Sequence, residues 1–193
     1  MKRAAWWEAV AAHAPEDLVF VDESGANVKM ARAYARAPRG ARAVGRVPRN
    51  HGTPTSLVAA LTPDGLTATA TRLGAFDAAT FAAYVRDVLG PSLRPGQVVV
   101  LDNLSAHKSA AVRDAIEARG CAVLFLPPYS PDFTPIELAW AQVKAALRTA
   151  AARTQTALDA AIDAAWHQVT TDHARAFFRH CGYSLAQCHG QPL

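Results

Sequence analysis

Short apolar runs closed by turn-forming residues recur along the first two thirds of the chain, and helical periodicity takes over afterwards. LVFVDESG (18–25) is a dense apolar run ending in Ser-Gly, the pattern of a buried strand. TSLVAAL (55–61) and LTATATRL (66–73) read as two strands joined by the turn TPDG (62–65), which makes a hairpin. QVVVLDN (97–103) and CAVLFLP (121–127) are two further strands. Helices are expected between and after them. One lies over 1–16, with Trp6 and Trp7 as packing anchors and Pro15 as its end. Another is capped by Asp77, runs through FAAYVRDVL and stops at Gly90 and Pro91. A third covers 109–119 and closes at Gly120, and a fourth follows Pro135 through IELAWAQVKAALR. Thr156 with Asp159 resembles a capping box for a helix through Trp166, and a last short helix near 172–181 ends at Gly182. Antiparallel strands come first and crossovers later, so the expected class is α/β, a mixed five-stranded sheet flanked by helices.

Composition narrows the function classes. The chain has 193 residues, 51% of them hydrophobic and 19% charged, which suits a folded domain and excludes a disordered one. No uncharged apolar stretch is long enough for a membrane helix, and the start MKRAAWWEAV has no secretion signal, so a cytoplasmic protein is expected. Three cysteines (Cys121, Cys181 and Cys188) are too few and too odd for a disulfide framework. Cys121 reads as core. Cys181 and Cys188 lie among His167, His173, His180 and His189, but at no familiar zinc spacing. Net charge is +4, and all of the excess sits in one place. Lys29, Arg32, Arg36, Arg39, Arg42, Arg46 and Arg49 fall within 27–54 without a single acid. Such a field marks a polyanion partner. Pro38, Gly40, Gly45 and Pro48 oppose a continuous helix there, which leaves an extended arm or hairpin on DNA phosphates, or a solvated loop.

Three acids stand where the fold can gather them. Asp22 is near the end of the first strand, Asp102 follows VVVL at the end of the fourth, and Glu137 is in the first turn of a helix. Functional groups of open sheets collect beyond strand ends. Converging carboxylates repel one another, and hard divalent cations relieve the repulsion, magnesium above all. A pair of such ions cleaves phosphodiesters without a nucleophilic Ser or Cys. Each acid alone has a plainer reading, as a turn former or a helix-dipole partner.

The surrounding strings are more specific. VFVDESG, VVVLDNLSAHKS and LFLPPYSPDFTPIELAW resemble the mariner superfamily of DDE transposases, in its bacterial insertion-sequence branch. The 34 residues between Asp102 and Glu137 match that branch. The resemblance covers about 18–148. It implies a ribonuclease-H-like fold and a catalytic triad of Asp22, Asp102 and Glu137 that holds two Mg2+ ions, with Mn2+ as a substitute. It implies an N-terminal helix and linker over 1–17, a catalytic domain over 18–150 and C-terminal helices over 151–193 packed on the same domain. The insertion 27–54 then contacts DNA and the partner subunit. Family members cut the ends of their element and join the freed 3′ ends to target DNA, usually at TA. The implied partners are double-stranded DNA, as element ends and target, and a second copy of the chain.

Several residues keep two readings. Asn103 and His107 either order metal-bound water or a phosphate, or cap the following helix. Glu23 should face away from Asp22 and be structural. Tyr129, Ser130 and Pro131 shape the turn that delivers Glu137, and Trp140 is expected to be core. Family members carry an N-terminal helix-turn-helix region, but only 17 residues precede Leu18 here. A separate helix-turn-helix polypeptide or a frameshift-fused N-terminal region is therefore expected to supply end recognition. The alternatives are a truncated, non-catalytic fragment that binds DNA or inhibits a transposase, and a structure-selective nuclease of the same fold.

Overall fold

The apolar runs form one sheet because each must be covered on both faces. The computed structural model describes residues 3–185. Five strands, β1 (Leu18–Ala26), β2 (Thr55–Thr62), β3 (Gly65–Leu73), β4 (Val98–Leu101) and β5 (Ala122–Phe125), lie in the order β3-β2-β1-β4-β5. The hairpin β2–β3 and the β1–β2 pair are antiparallel, whereas β1–β4 and β4–β5 are parallel. The mixed five-stranded sheet expected from the sequence is therefore present. Alternation along β1 sends Leu18, Phe20 and Ala26 into one core and Val19 and Val21 into the other.

Helices cover the two faces. On the Phe20 side pack α5 (Ile136–Ala150), α6 (Gln155–Trp166) and α7 (Thr171–His180), with Trp140, Leu158 and Phe178 buried against the sheet. Trp6 and Val10 of α1 (Arg3–Ala11) join the same core. On the Val21 side lie α2 (Ala78–Tyr84) and α4 (Ala110–Glu117), which bury Phe81, Val112 and Ile116. Asp77 caps α2 as expected, its side chain accepting from the Thr80 amide.

Three local expectations need correction. Gly90 and Pro91 do not stop the second helix: a π-turn over Val85–Leu89 leads into α3 (Gly90–Ser92). The Gly90 amide reaches back to the Val85 carbonyl, and the wider turn relieves the clash that a proline brings to a regular α-helix. Thr154 rather than Thr156 caps α6, accepting from the Ala157 amide, while Asp159 accepts from the Gln155 side chain. The first helix ends at Ala11, before Pro15. Pro15 instead opens a short 3₁₀ turn over Pro15–Asp17, a position where its missing N–H costs nothing. Among the described residues no three His, Cys, Asp or Glu side chains are grouped to hold a metal; Cys188 and His189 lie outside them.

The basic segment forms neither helix nor strand. It leaves the sheet after β1 and turns at Pro38–Ala41, where the Ala41 amide donates to the Pro38 carbonyl and Gly40 takes a φ of +84°. Residues 31–35 and 43–47 then flank a common groove with Arg148 and Arg153. Arg153 pins the root of the arm, its Nη1 donating to the carbonyls of Val28, Met30 and Ala152 at 2.9–3.0 Å. Arg153→Ala is expected to cost about 1–3 kcal/mol and to speed tryptic cleavage at the arm arginines, as urea titration and timed proteolysis would show.

Candidate active site

Register brings the first two acids together. Leu18, Val19 and Phe20 of β1 stand beside Val98, Val99 and Val100 of β4. Carrying the same offset two residues further puts Asp102 beside Asp22. Strands pair about 4.8 Å apart, and equal parity turns both side chains to the same face. That face is the one covered by α5. Glu137 sits in the first turn of α5, exposed, and Trp140 follows one turn later on the same side of the helix. The Trp140 indole N–H donates to Asp22 Oδ2 at 3.1 Å.

The loop ahead of α5 is held from outside. Arg3 grips both oxygens of Asp132 at 2.6 and 2.9 Å, and its guanidinium lies 4.1 Å over the Phe133 ring. Trp6 stacks on Phe133 and Trp7 meets its edge. The Tyr183 hydroxyl donates to the Phe133 carbonyl at 2.6 Å. These contacts fix the 3₁₀ turn Pro131–Phe133, from which the chain enters α5 and presents Glu137.

Glu23 faces the opposite side of β1, as its parity requires, and meets a buried histidine there. His107 is 1% exposed, with Nδ1 2.6 Å from Asp102 Oδ1 and Nε2 3.1 Å from Glu23 Oε1. Its ring lies 4.1 Å from that of Phe81. Carboxylates only accept, so both ring nitrogens donate and the imidazole is cationic. Burial favours its neutral form, but the Asp102 and Glu23 hydrogen bonds more than reverse this and raise its pKa to about 9. Burial likewise opposes ionisation of Asp102, yet the His107 hydrogen bond and the Leu104 amide hold its pKa below the usual carboxylate range. The helix cap after this segment is Ser109, not Asn103 or His107. Asn103 instead donates its amide to the Leu126 carbonyl at the end of β5.

Asp22 is the strained member. Burial first, then repulsion from Glu137, Glu23 and Asp102, pushes its pKa up to about 7, against a lowering contribution from the Glu23 amide. No arginine or lysine among the described residues pairs with Asp22, Asp102 or Glu137. Oε2 of Glu23 is buried without a hydrogen-bond partner. The donors are all oxygens in a region of excess negative charge, the chemistry that suits a hard divalent cation. They are not drawn into a closed cage, since no group of three such side chains meets metal-site spacing among the described residues. Trp140 is the functional contact that the sequence pattern hides. Its position predicts core, and nothing local marks the indole N–H as a partner for Asp22.

The seven basic residues of the arm are not gathered at the acids. Arg32, Arg36, Arg39, Arg42, Arg46 and Arg49 are exposed and Lys29 is half-buried. Arg32 reaches α5, donating from Nε to Thr149 Oγ1 at 3.4 Å.

The raised pKa of His107 sets a pH signature. Its contribution to stability is complete below the ordinary histidine value near 6.5 and fades as pH rises through about 9. His107→Gln is expected to lose about 2 kcal/mol near neutral pH. The gap from the unsubstituted protein should close above pH 9, as urea unfolding at the two pH values would show.

A family model described as DDE superfamily endonuclease matches residues 17–159. Among solved structures, the chain is similar to that of a pre-cleavage Mos1 transpososome, with a TM-score of 0.67 and 17% identity over 92% of this chain and 55% of that one. The Mos1 transposase catalytic domain with raltegravir and Mg gives 0.61 and 15%, covering 92% and 83%. The catalytic domain of Mos1 mariner transposase gives 0.59 and 16%, covering 92% and 81%. No curated protein matches. The chain thus spans about half the length of the longer Mos1 chains. The likeness is one of fold, the ribonuclease-H-like sheet with its flanking helices. With three quarters of its length matched by the family model, the chain belongs to the DDE superfamily endonuclease family.

Proposed function

We propose that this chain is the catalytic domain of a cut-and-paste DNA transposase from the bacterial insertion-sequence branch of the mariner superfamily. In this reading Asp22, Asp102 and Glu137 are its catalytic acids. The carrying observation is the convergence of Asp22 and Asp102 on one sheet face, under the helix that presents Glu137 and bonds Asp22 through Trp140. These three acids would hold Mg2+ or Mn2+, as two ions, and the metal would supply activation of the attacking water or hydroxyl and stabilisation of the leaving oxygen of a phosphodiester. Neighbours with Mg and with Mn support that choice.

The chain's own groups prepare the acids. Trp140 orients Asp22 through Oδ2. His107 and the Leu104 amide both take Oδ1 of Asp102, which leaves Oδ2 without a protein donor among the described residues. Their geometry keeps Asp102 ionised, whereas Asp22 gives up its proton near neutrality. In this reading Arg36, Arg39 and Arg42, at the turn of the arm, lie along phosphates, and the rooting of the arm beside α5 by Arg153 supports it. The partners are double-stranded DNA, a second copy of the chain on that DNA, and a helix-turn-helix region or polypeptide that reads the element ends. No helix among the described residues is long and apolar enough to cross a membrane, and the reading places the protein in the cytoplasm.

Asp102→Asn and Glu137→Gln are each expected to abolish nicking of an end-bearing duplex in Mg2+ or Mn2+ with DNA affinity nearly unchanged; the melting temperature should hold for Glu137→Gln and fall for Asp102→Asn, which loses the His107 ion pair. Persistent cutting by either variant would sink the triad assignment. If the unsubstituted chain binds DNA but never cuts it, the chain is a DNA-binding fragment. Replacing Arg36, Arg39 and Arg42 together with Ala should lower the slope of log affinity against log salt by about 2 to 3. An unchanged slope would remove the arm from the DNA interface.

A further inference from the structure

One side chain in the loop between β5 and α5 has no work to do inside the molecule. Tyr129 is 99% exposed and has a φ of +55°, in the left-handed region. Glycine enters that region freely and a tyrosine does not. The loop around it is stiff and pinned. Pro127, Pro128 and Pro131 restrict its backbone. The buried Ser130 hydroxyl donates to the Pro128 carbonyl and accepts from Arg3. On the other wall, the Asn103 amide donates to the Leu126 carbonyl. The ring is therefore held outward on a rigid mount, with nothing of its own chain to pack on.

It borders a cleft of about 530 Å³ that Asp102 also lines. Leu104 stands in the same cleft, 55% exposed, and Leu126, Pro127 and Pro128 complete an apolar lining. We infer that this cleft is a stacking site for one unpaired nucleobase, that of the nucleotide next to the phosphate presented to Asp102. The inference rests on the DNA-cleaving reading above, and three observations select the occupant. A lone exposed ring offers a π-face, which any base can stack on whatever its identity. The apolar lining of Leu104, Leu126, Pro127 and Pro128 suits a flat neutral ring rather than a charged phosphate. The cleft adjoins an acid of the proposed centre, so a strand delivering its phosphate there brings the adjoining base alongside. A cleft lined by nine residues is also far smaller than the patch of about 20–30 residues a side that a stable protein partner covers.

The test is binding without cleavage, using the full chain carrying Glu137→Gln. The probes are a blunt duplex and the same duplex with a short single-stranded tail containing 2-aminopurine. The tailed probe should bind about tenfold more tightly, with its fluorescence quenched. Tyr129→Ala should remove both the preference and the quenching, and Tyr129→Trp should keep them. Tyr129→Gly should raise the melting temperature, since the backbone is relieved, and still lose the preference. Melting curves of all the variants report whether the fold is kept, and no core contact is touched. Equal binding of the two probes, or a preference that Tyr129→Ala leaves intact, would overturn the inference. Because no cutting is measured, a failure of the triad reading shows separately, in the nicking assay.

Discussion

Parallel pairing of β1 with β4 is the constraint on which the site depends. Their shared offset is set by buried valines and a leucine–phenylalanine pattern, since a slip of one residue would turn every apolar side chain to the wrong face. The same offset, extended past the end of β4, decides that Asp22 and Asp102 stand side by side. Hydrophobic burial thus forces two like charges together, and the repulsion appears in the raised pKa of Asp22. The neighbouring groups treat the two acids differently. Asp102 has a cationic histidine and a backbone amide, and stays ionised. Asp22 has an indole N–H and its own strand's amide, which do not offset burial and repulsion.

The two faces of the sheet divide the work. Trp140 and Glu137 come from α5 on one side, and His107 with Glu23 closes the other. Asp102, at the strand's end, is reached from both. This explains why a residue facing away from the acids still bears on them. Glu23 points away from Asp22 across the strand, yet it holds the second nitrogen of the histidine that grips Asp102.

Much of this was legible in the residues. Most of the strands could be read because their runs are largely apolar, and β3 because its apolar and polar residues alternate. Asp22, Asp102 and Glu137 stood out because they lie within strings long enough to be specific, although Asp22 lies in the middle of β1 (Leu18–Ala26) and not near its end, since the strand pairs with β2 through Ala26. Other features could not be read. Trp140 obeys the helical period that buries it, and its N–H acquires meaning only from an acid 118 positions earlier. His107 is joined to partners 5 and 84 positions away, of which only the nearer is within local view. The π-turn at Val85–Leu89 leaves the apolar spacing almost intact, so Gly90 and Pro91 look like stop signals when the backbone has already widened to admit them. The capping threonine of α6 had a neighbour two residues later with the same chemistry, and pattern alone could not choose between Thr154 and Thr156.

Helix α5 carries Glu137 in its first turn, and Arg153, just beyond its last, fastens the basic arm. Fifteen residues of uninterrupted helix make a rod of about 22 Å between those points. Packed along the sheet through Trp140, Val143 and Leu147, the rod cannot bend without opening the core. Load applied to the arm therefore arrives at Glu137 as rotation or sliding of one stiff body, so whatever moves the basic segment also re-aims that carboxylate.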